Sequence, residues 1–173
     1  MSKFEKIDPA GLPGNIFSQF NDGWALISAG TPEKWNTMTI SWGTAGWLWY
    51  KPVCIAYVRE SRYTTQFTEK NDCFSVAFFG KGEYRAELRE LGSKSGRDMD
   101  KMNDSGLTPE WIDGVPAFAE AQSVLVCRKL YADWVKPENF LDEAVQKQSY
   151  GPTGREDMHR VYVAEVTGAY IRK

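Results

Sequence analysis

The chain has 173 residues, 42% hydrophobic and 25% charged, which is enough for one domain with its own core. Its formal net charge of −2 leaves no global field to attract nucleic acid. No apolar run approaches the length of a membrane span, and the polar start Met1-Ser2-Lys3-Phe4-Glu5-Lys6 lacks a signal-peptide core, so a cytoplasmic protein is expected.

The first strand is predicted at Trp24–Ala29, closed by Gly30. The second, Thr37–Trp42, alternates: Met38, Ile40 and Trp42 face one way, and Thr37, Thr39 and Ser41 the other. Such a strand buries its apolar side and offers hydroxyls on a wet face. Trp47-Leu48-Trp49-Tyr50 is unusually apolar for a connection, which suits an interface or a ligand mouth. Pro52 starts Val53–Val58, apolar on both faces and expected as a central strand. The polar corner Arg59-Glu60-Ser61-Arg62 leads into a short helix over Tyr63–Lys70, with Ser61 or Thr64 as its N-cap.

Cys73–Phe79 is the next strand, ending at Gly80. A helix is predicted from about Tyr84 to Leu91 with Gly92 as its stop. Gly92 to Gly106 is rich in glycine, serine and charge, so loop with a helical turn is expected. Strands return at Ser123–Tyr131 and His159–Ile171, and the stretch from Trp134 to Gln148 matches no motif. The sum is mainly β with short helices, one domain over residues 1–173, in a barrel or sandwich.

The chain lacks a P-loop, a G-x-G-x-x-G fingerprint and a G-x-S-x-G elbow. Cys54, Cys73 and Cys127 lie far apart among apolar neighbours and form no C-x-x-C, so all three read as buried structural thiols. The single histidine, His159, excludes a multi-histidine metal site. Three segments could carry chemistry. Asn36-Thr37-Met38-Thr39 with Ser41 offers amide and hydroxyl groups to a ring edge or a phosphate, or is simply a half-wet strand. Arg59-Glu60-Ser61-Arg62-Tyr63-Thr64 puts arginines and hydroxyls at a helix start, which suits phosphate, or is a capped helix with solvated arginines. In Ser93–Lys101 a flexible loop could wrap an anion with Lys101 or Arg97 as counter-charge, or be ordinary solvated loop.

In this order and spacing, with Lys51-Pro52, Phe74-Ser75-Val76, Gly96-Arg97-Asp98-Met99-Asp100-Lys101 and His159–Val166, these segments resemble the FMN-binding split-barrel proteins related to flavin reductases and flavoredoxin. The resemblance runs from about Trp24 to Val166. It implies an FMN-binding split β-barrel that dimerises with a second copy and holds FMN near the interface. Asn36, Thr37, Met38, Thr39 and Ser41 would line the flavin. Arg59, Ser61, Arg62, Tyr63 and Thr64 would lie near its phosphate or ribityl chain, and Lys101 would reach the phosphate. His159 is expected near the open side of the flavin, orienting substrate or assisting a proton step, or else satisfied by local hydrogen bonds. Trp42, Trp47 and Trp49 could cover the ring, although core or dimer packing is the commoner role of such side chains.

The implied activity is hydride transfer from NADH or NADPH to FMN. The competing readings are an FMN-carrying electron-transfer protein of flavoredoxin type, reduced by a protein partner, and a non-enzymatic ligand-binding barrel. Neither a nucleic-acid nor a membrane partner is expected.

Overall fold

The computed structural model describes residues 3–151 and 157–173. Met1 and Ser2, at the polar start, lie outside them. The strands are β1 (Phe4–Ile7), β2 (Ala25–Thr31), β3 (Lys34–Ile40), β4 (Gly43–Leu48), β5 (Lys51–Arg59), β6 (Cys73–Phe78), β7 (Pro109–Ile112), β8 (Val115–Phe118), β9 (Ser123–Trp134) and β10 (His159–Arg172). The α-helices are α1 (Ile16–Ser18), α2 (Thr64–Lys70), α3 (Arg85–Ser93) and α4 (Glu143–Tyr150). Among the described residues no helix is long and apolar enough to cross a membrane.

Eight strands form one sheet in the order β3-β2-β6-β9-β10-β5-β4, with β1 added on β10. The 14-residue β10 is its spine: β9 pairs along its length, β5 pairs with His159–Glu165 and β1 with Ala169–Arg172. Two register shifts in the β9–β10 ladder, at Val163/Ala164 and Val166/Gly168, add bend and twist. The curled sheet encloses one apolar cluster containing Ile27, Met38, Val58, Phe74, Leu125 and Tyr162. A second cluster, with Leu26, Trp35, Leu88, Leu91, Phe118 and Val124, lies on the opposite face under α3 and the β7–β8 hairpin. Strand side chains alternate between faces, so Leu26 and Ile27 feed different clusters. Leu88 and Leu91 are three apart and share the buried stripe of α3.

Several expectations are corrected. The second strand is Lys34–Ile40 and ends before Ser41 and Trp42. Its hydroxyl face is not wet, because α3 lies over it. Thr37 is fully buried, accepting from Ser28 Oγ at 2.8 Å and donating to the Ile27 carbonyl at 3.1 Å. Thr39 donates to the Leu88 carbonyl. Gly92 lies inside α3 rather than stopping it. A Cβ there would come within 3.1 Å of the Thr39 Cβ, so the glycine serves the helix–strand approach. β5 is an inner strand, but Ile55 and Tyr57 on one face are only half-buried. Cys54 and Cys127 are buried free thiols, whereas Cys73 is partly exposed.

Trp47 and Leu48 end edge strand β4, and Trp49 and Tyr50 make the two-residue turn into β5, both with positive φ. Bulky side chains seldom adopt that conformation. Neither Trp47 nor Trp49 is a core residue: Trp47 is 72% exposed and Trp49 52%.

Gly30, in β2, has φ +137°, and a Cβ would lie 2.4 Å from the Trp35 Cα of the paired strand. Gly30→Ala should therefore destabilise the protein by about 2–4 kcal/mol. Urea unfolding midpoints compared with wild type check this, and an unchanged midpoint would contradict it.

Candidate functional site

The β5–β10 register places Arg59 directly across from His159, so the end of one strand and the start of the other bring a cation and the lone imidazole together. Beyond Arg59 the chain turns sharply. The Arg59 carbonyl accepts from the Arg62 N–H at 3.1 Å and from Thr65 Oγ1 at 2.6 Å, and α2 begins. The helix start differs from expectation. Tyr63 occupies the cap position without a side-chain cap bond, while the N–H groups of Thr65 and Gln66 turn back to the carbonyls of Arg62 and Tyr63. The first turn thus offers fewer free donors than an open helix end. Thr64 is buried, and its Oγ1 accepts from Asn36 Nδ2 at 2.8 Å, linking α2 to β3.

Two adjoining clefts share Met38 and Arg62. The larger, about 230 Å³, is walled by Thr39, Ser41, Trp42, Arg59 and His159. The smaller, about 120 Å³, is walled by Asn36, Ser61, Tyr63, Thr64 and Lys101 with the end of α3 and the residues that follow it, 91–97. A further cavity of about 370 Å³ adjoins it through Asn36, Tyr63, Arg97 and Lys101. Of the residues expected near the flavin, its phosphate or its open side, Thr37 does not line the two clefts, and neither do Trp47 and Trp49. The Thr37 side chain turns into the core and its carbonyl accepts from Lys101 Nζ at 3.1 Å.

A cavity larger than either cleft, about 420 Å³, lies elsewhere, between the N-terminal segment and β4–β5. Its lining, which includes Leu12, Ile16, Trp47, Val53 and Val166, contains no cation and is unsuited to a phosphate.

Lys101 is the electrostatic centre of the smaller cleft. It is 4% exposed, and Nζ donates to the Thr37 and Leu91 carbonyls, the latter at 2.6 Å. Burial pushes its pKa down to about 8, and the Arg62 guanidinium nearby adds to the shift. Arg62 itself is exposed. No carboxylate among the described residues makes an ion pair with either cation. The approach of the 92–101 loop depends on Gly96, where a Cβ would stand 2.2 Å from Asn36 Oδ1.

Arg59 and Ser61 are engaged differently from the sequence expectation. Arg59 donates to the Asp157 carbonyl at 3.1 Å and the Ser149 carbonyl at 3.0 Å, and lies over the rings of Trp42 and Tyr150. Ser61 gives both its N–H and its hydroxyl to the Asp157 carboxylate, each at 2.8 Å. The corner does bind an anion, but the anion is the protein's own. Arg62 and Lys101, by contrast, have no carboxylate partner among the described residues.

His159 is buried against Trp42, with ring centroids 4.7 Å apart, and its Nδ1 lies 2.9 Å from the Tyr150 hydroxyl. Burial, then Arg59, pushes the imidazole pKa down to about 4 against the opposing pull of Asp157, so the ring is neutral near pH 7. Tyr150 and Asp157 were missed in the sequence because they come from the stretch after β9 that carries no motif. Trp42 is a cleft wall rather than core.

A curled antiparallel sheet carrying a cation-equipped groove defines a split β-barrel. The flavin reductase like domain matches residues 17–173, and the chain belongs to that family. The fold is shared with an FMN-binding domain of a flavin reductases-like enzyme from Shewanella baltica OS155 (18% identity, TM-score 0.67, 98% of this chain and 77% of that one). Flavoredoxin from Methanosarcina acetivorans is similar (23%, TM-score 0.64, 98% and 76%). So is the styrene monooxygenase flavin reductase of Pseudomonas putida S12 (17%, TM-score 0.61, 86% and 78%). No protein of curated function matches the chain.

Replacing Lys101 with Met would leave the Thr37 and Leu91 carbonyls without their donor. An orphaned buried acceptor costs about 1–3 kcal/mol, partly offset here by removing a desolvated charge. Lys101→Met should therefore lower the thermal midpoint measurably, and a midpoint at or above wild type would contradict the structural half of this residue's role.

Proposed function

We propose that the chain binds FMN along this groove and acts as an NAD(P)H-dependent flavin oxidoreductase. The observation that carries the reading is the pair Arg62 and Lys101, two cations that line one cleft and have no carboxylate partner among the described residues. A protein of net charge −2 that concentrates uncompensated positive charge there is suited to an external anion. The FMN phosphate carries about −1.5 to −2 charges at pH 7. Two of the three ammonium donors of Lys101 go to carbonyls, which leaves one for a phosphate oxygen. The wider cleft combines apolar contact from Met38, Ile40 and Trp42, suited to a flavin ring, with polar groups from Thr39, Ser41 and His159 for its edge.

FMN supplies hydride acceptance and one- or two-electron release. The chain's own residues bind the phosphate, orient the ring and leave one cleft wall partly open to a second planar molecule. No ionised acid or base is needed at the wall: His159 stays neutral near pH 7 and serves as a hydrogen-bonding group. Homodimerisation is supported by the outer edge of β4, which pairs with no strand among the described residues, and by the exposed Trp47, Trp49, Tyr50 and Tyr131 beside it.

The direct test is the visible spectrum of the FMN-reconstituted protein under anaerobic NADH or NADPH. Bleaching is expected. A flavin that remains oxidised with both nucleotides, yet is reduced by a protein donor, would replace the reductase reading with the electron-carrier one. Failure to take up FMN would overturn both.

Arg62→Gln should weaken FMN binding by about 10–100-fold, the loss of a charge-assisted contact of about 1.5–3 kcal/mol, with unfolding unchanged. Fluorescence titration measures this, and unchanged affinity would contradict the phosphate assignment. In wild type, phosphate favours protonated Lys101, so affinity is greatest below the free-state pKa of about 8 and falls as pH rises through it. About a tenfold loss between pH 7 and 9 is expected. A pH-independent dissociation constant over that range would remove Lys101 from the anion site.

A further inference from the structure

The stretch after β9 matches no motif, yet it delivers a residue into direct contact with the chain's single histidine. α4 ends at Tyr150, which is buried, with its hydroxyl 2.9 Å from His159 Nδ1. Its ring meets Phe140 at 5.7 Å and Trp42 at 6.4 Å, and the Arg59 guanidinium lies 5.4 Å from its centroid. Arg59 also grips the carbonyls of Ser149, one residue before Tyr150, and of Asp157, two before His159. The arginine thus holds the chain beside both partners of the phenol–imidazole contact.

A phenol O–H is a good donor and its oxygen a weak acceptor, while an imidazole imine nitrogen is a good acceptor. The contact therefore runs from the Tyr150 O–H to Nδ1. The proton of the neutral ring then resides on Nε2, and the ring is one wall of the wider cleft.

We propose that Tyr150 is a positioning residue that holds His159 as its Nε2–H tautomer, so that the cleft presents one neutral donor to the carbonyl oxygen of a planar ligand. The ligand chemistry follows from the walls. Trp42 lies against the imidazole with the ring planes tilted by 39°, its apolar surface adds to the cleft wall, and a neutral N–H pairs well with a neutral carbonyl acceptor. The carboxamide of a nicotinamide ring has that chemistry, and this part rests on the reductase reading above. Two effects keep the pair in this state. Burial raises the Tyr150 pKa and keeps its proton on, and the same burial with Arg59 and Arg62 opposes protonation of His159. The charged groups acting on the imidazole are Arg59 at the end of β5, Arg62 at the corner before α2, and Asp157 just before β10, the last in the opposing sense.

The chain has one histidine, so protein labelled with ¹⁵N in the histidine ring gives one pair of ring nitrogen signals. At pH 7 wild type should show a protonated Nε2 and a hydrogen-bonded, unprotonated Nδ1. In Tyr150→Phe the Nδ1 signal should move toward that of an unbonded imine nitrogen. A proton on Nδ1 in wild type, or an Nδ1 signal identical in the two proteins, would overturn the tautomer assignment. Should the variant fail to fold, the wild-type spectrum alone still decides which nitrogen carries the proton.

Kinetically, Tyr150→Phe should raise the KM for NADH about three- to tenfold with FMN affinity unaltered, the size expected for one misplaced hydrogen bond. In a His159→Gln background the same substitution should have no effect on KM. An unchanged KM in the single variant, or an equal rise in both backgrounds, would show that Tyr150 only packs. If wild type does not oxidise NADH, the reductase reading fails and the nitrogen spectra still decide the tautomer.

Discussion

The site depends on a cation taken out of water. Lys101 is buried, its ammonium ties β3 to α3 through the carbonyls of Thr37 and Leu91, and a second cation, Arg62, lies close enough to lower its pKa. Two like charges in a partly desolvated cleft repel one another, and burying an ammonium costs several kcal/mol before its hydrogen bonds are counted. A protein retains such an arrangement where an anion relieves it. That anion is not supplied by a carboxylate among the described residues, although the adjacent corner shows how readily one could be: Asp157 already takes both donors of Ser61. The fold fills one anion position from within, and the proposed function assigns the neighbouring one to the FMN phosphate.

The architecture that delivers these groups is simple to trace. β10 starts where β5 ends, so His159 and Arg59 are paired across the ladder. The tight corner after Arg59 brings Arg62 and Tyr63 over β3, and α3, packed on the outer face of β3, ends in the loop that returns Lys101 beneath it. Gly96 permits the last step, since any side chain there would occupy the space of Asn36 Oδ1. The cleft thus lies where three separate parts of the chain converge on one strand. Segments distant in sequence appear together in the family pattern for the same reason.

Much of this was legible in the residues themselves. Alternation and turn chemistry marked β2, β3, β5, β6, β9 and β10, because those strands carry β-branched and aromatic residues between glycine and proline breaks. The hydroxyls of Thr37 and Thr39 misled, because alternation tells which residues share a face and not whether that face meets water. Here α3 covers it, and short hydroxyls satisfied by Ser28, Ile27 and Leu88 are as compatible with burial as with solvent. The strand β4 escaped notice because glycines and adjacent aromatics broke its period. Tyr150 and Asp157 escaped because their importance is tertiary: each acts through one long-range contact that leaves no local spacing to read.

The central claim is that Arg62 and Lys101 receive the phosphate of FMN while Met38, Trp42 and His159 flank its ring. A crystal structure of the protein with FMN tests it most directly. The account requires phosphate oxygens within hydrogen-bond distance of the Arg62 guanidinium and the Lys101 ammonium, with the ring system in the cleft beside His159. FMN seated instead in the large apolar cavity between the N-terminal segment and β4–β5, or with its phosphate remote from both cations, would contradict it.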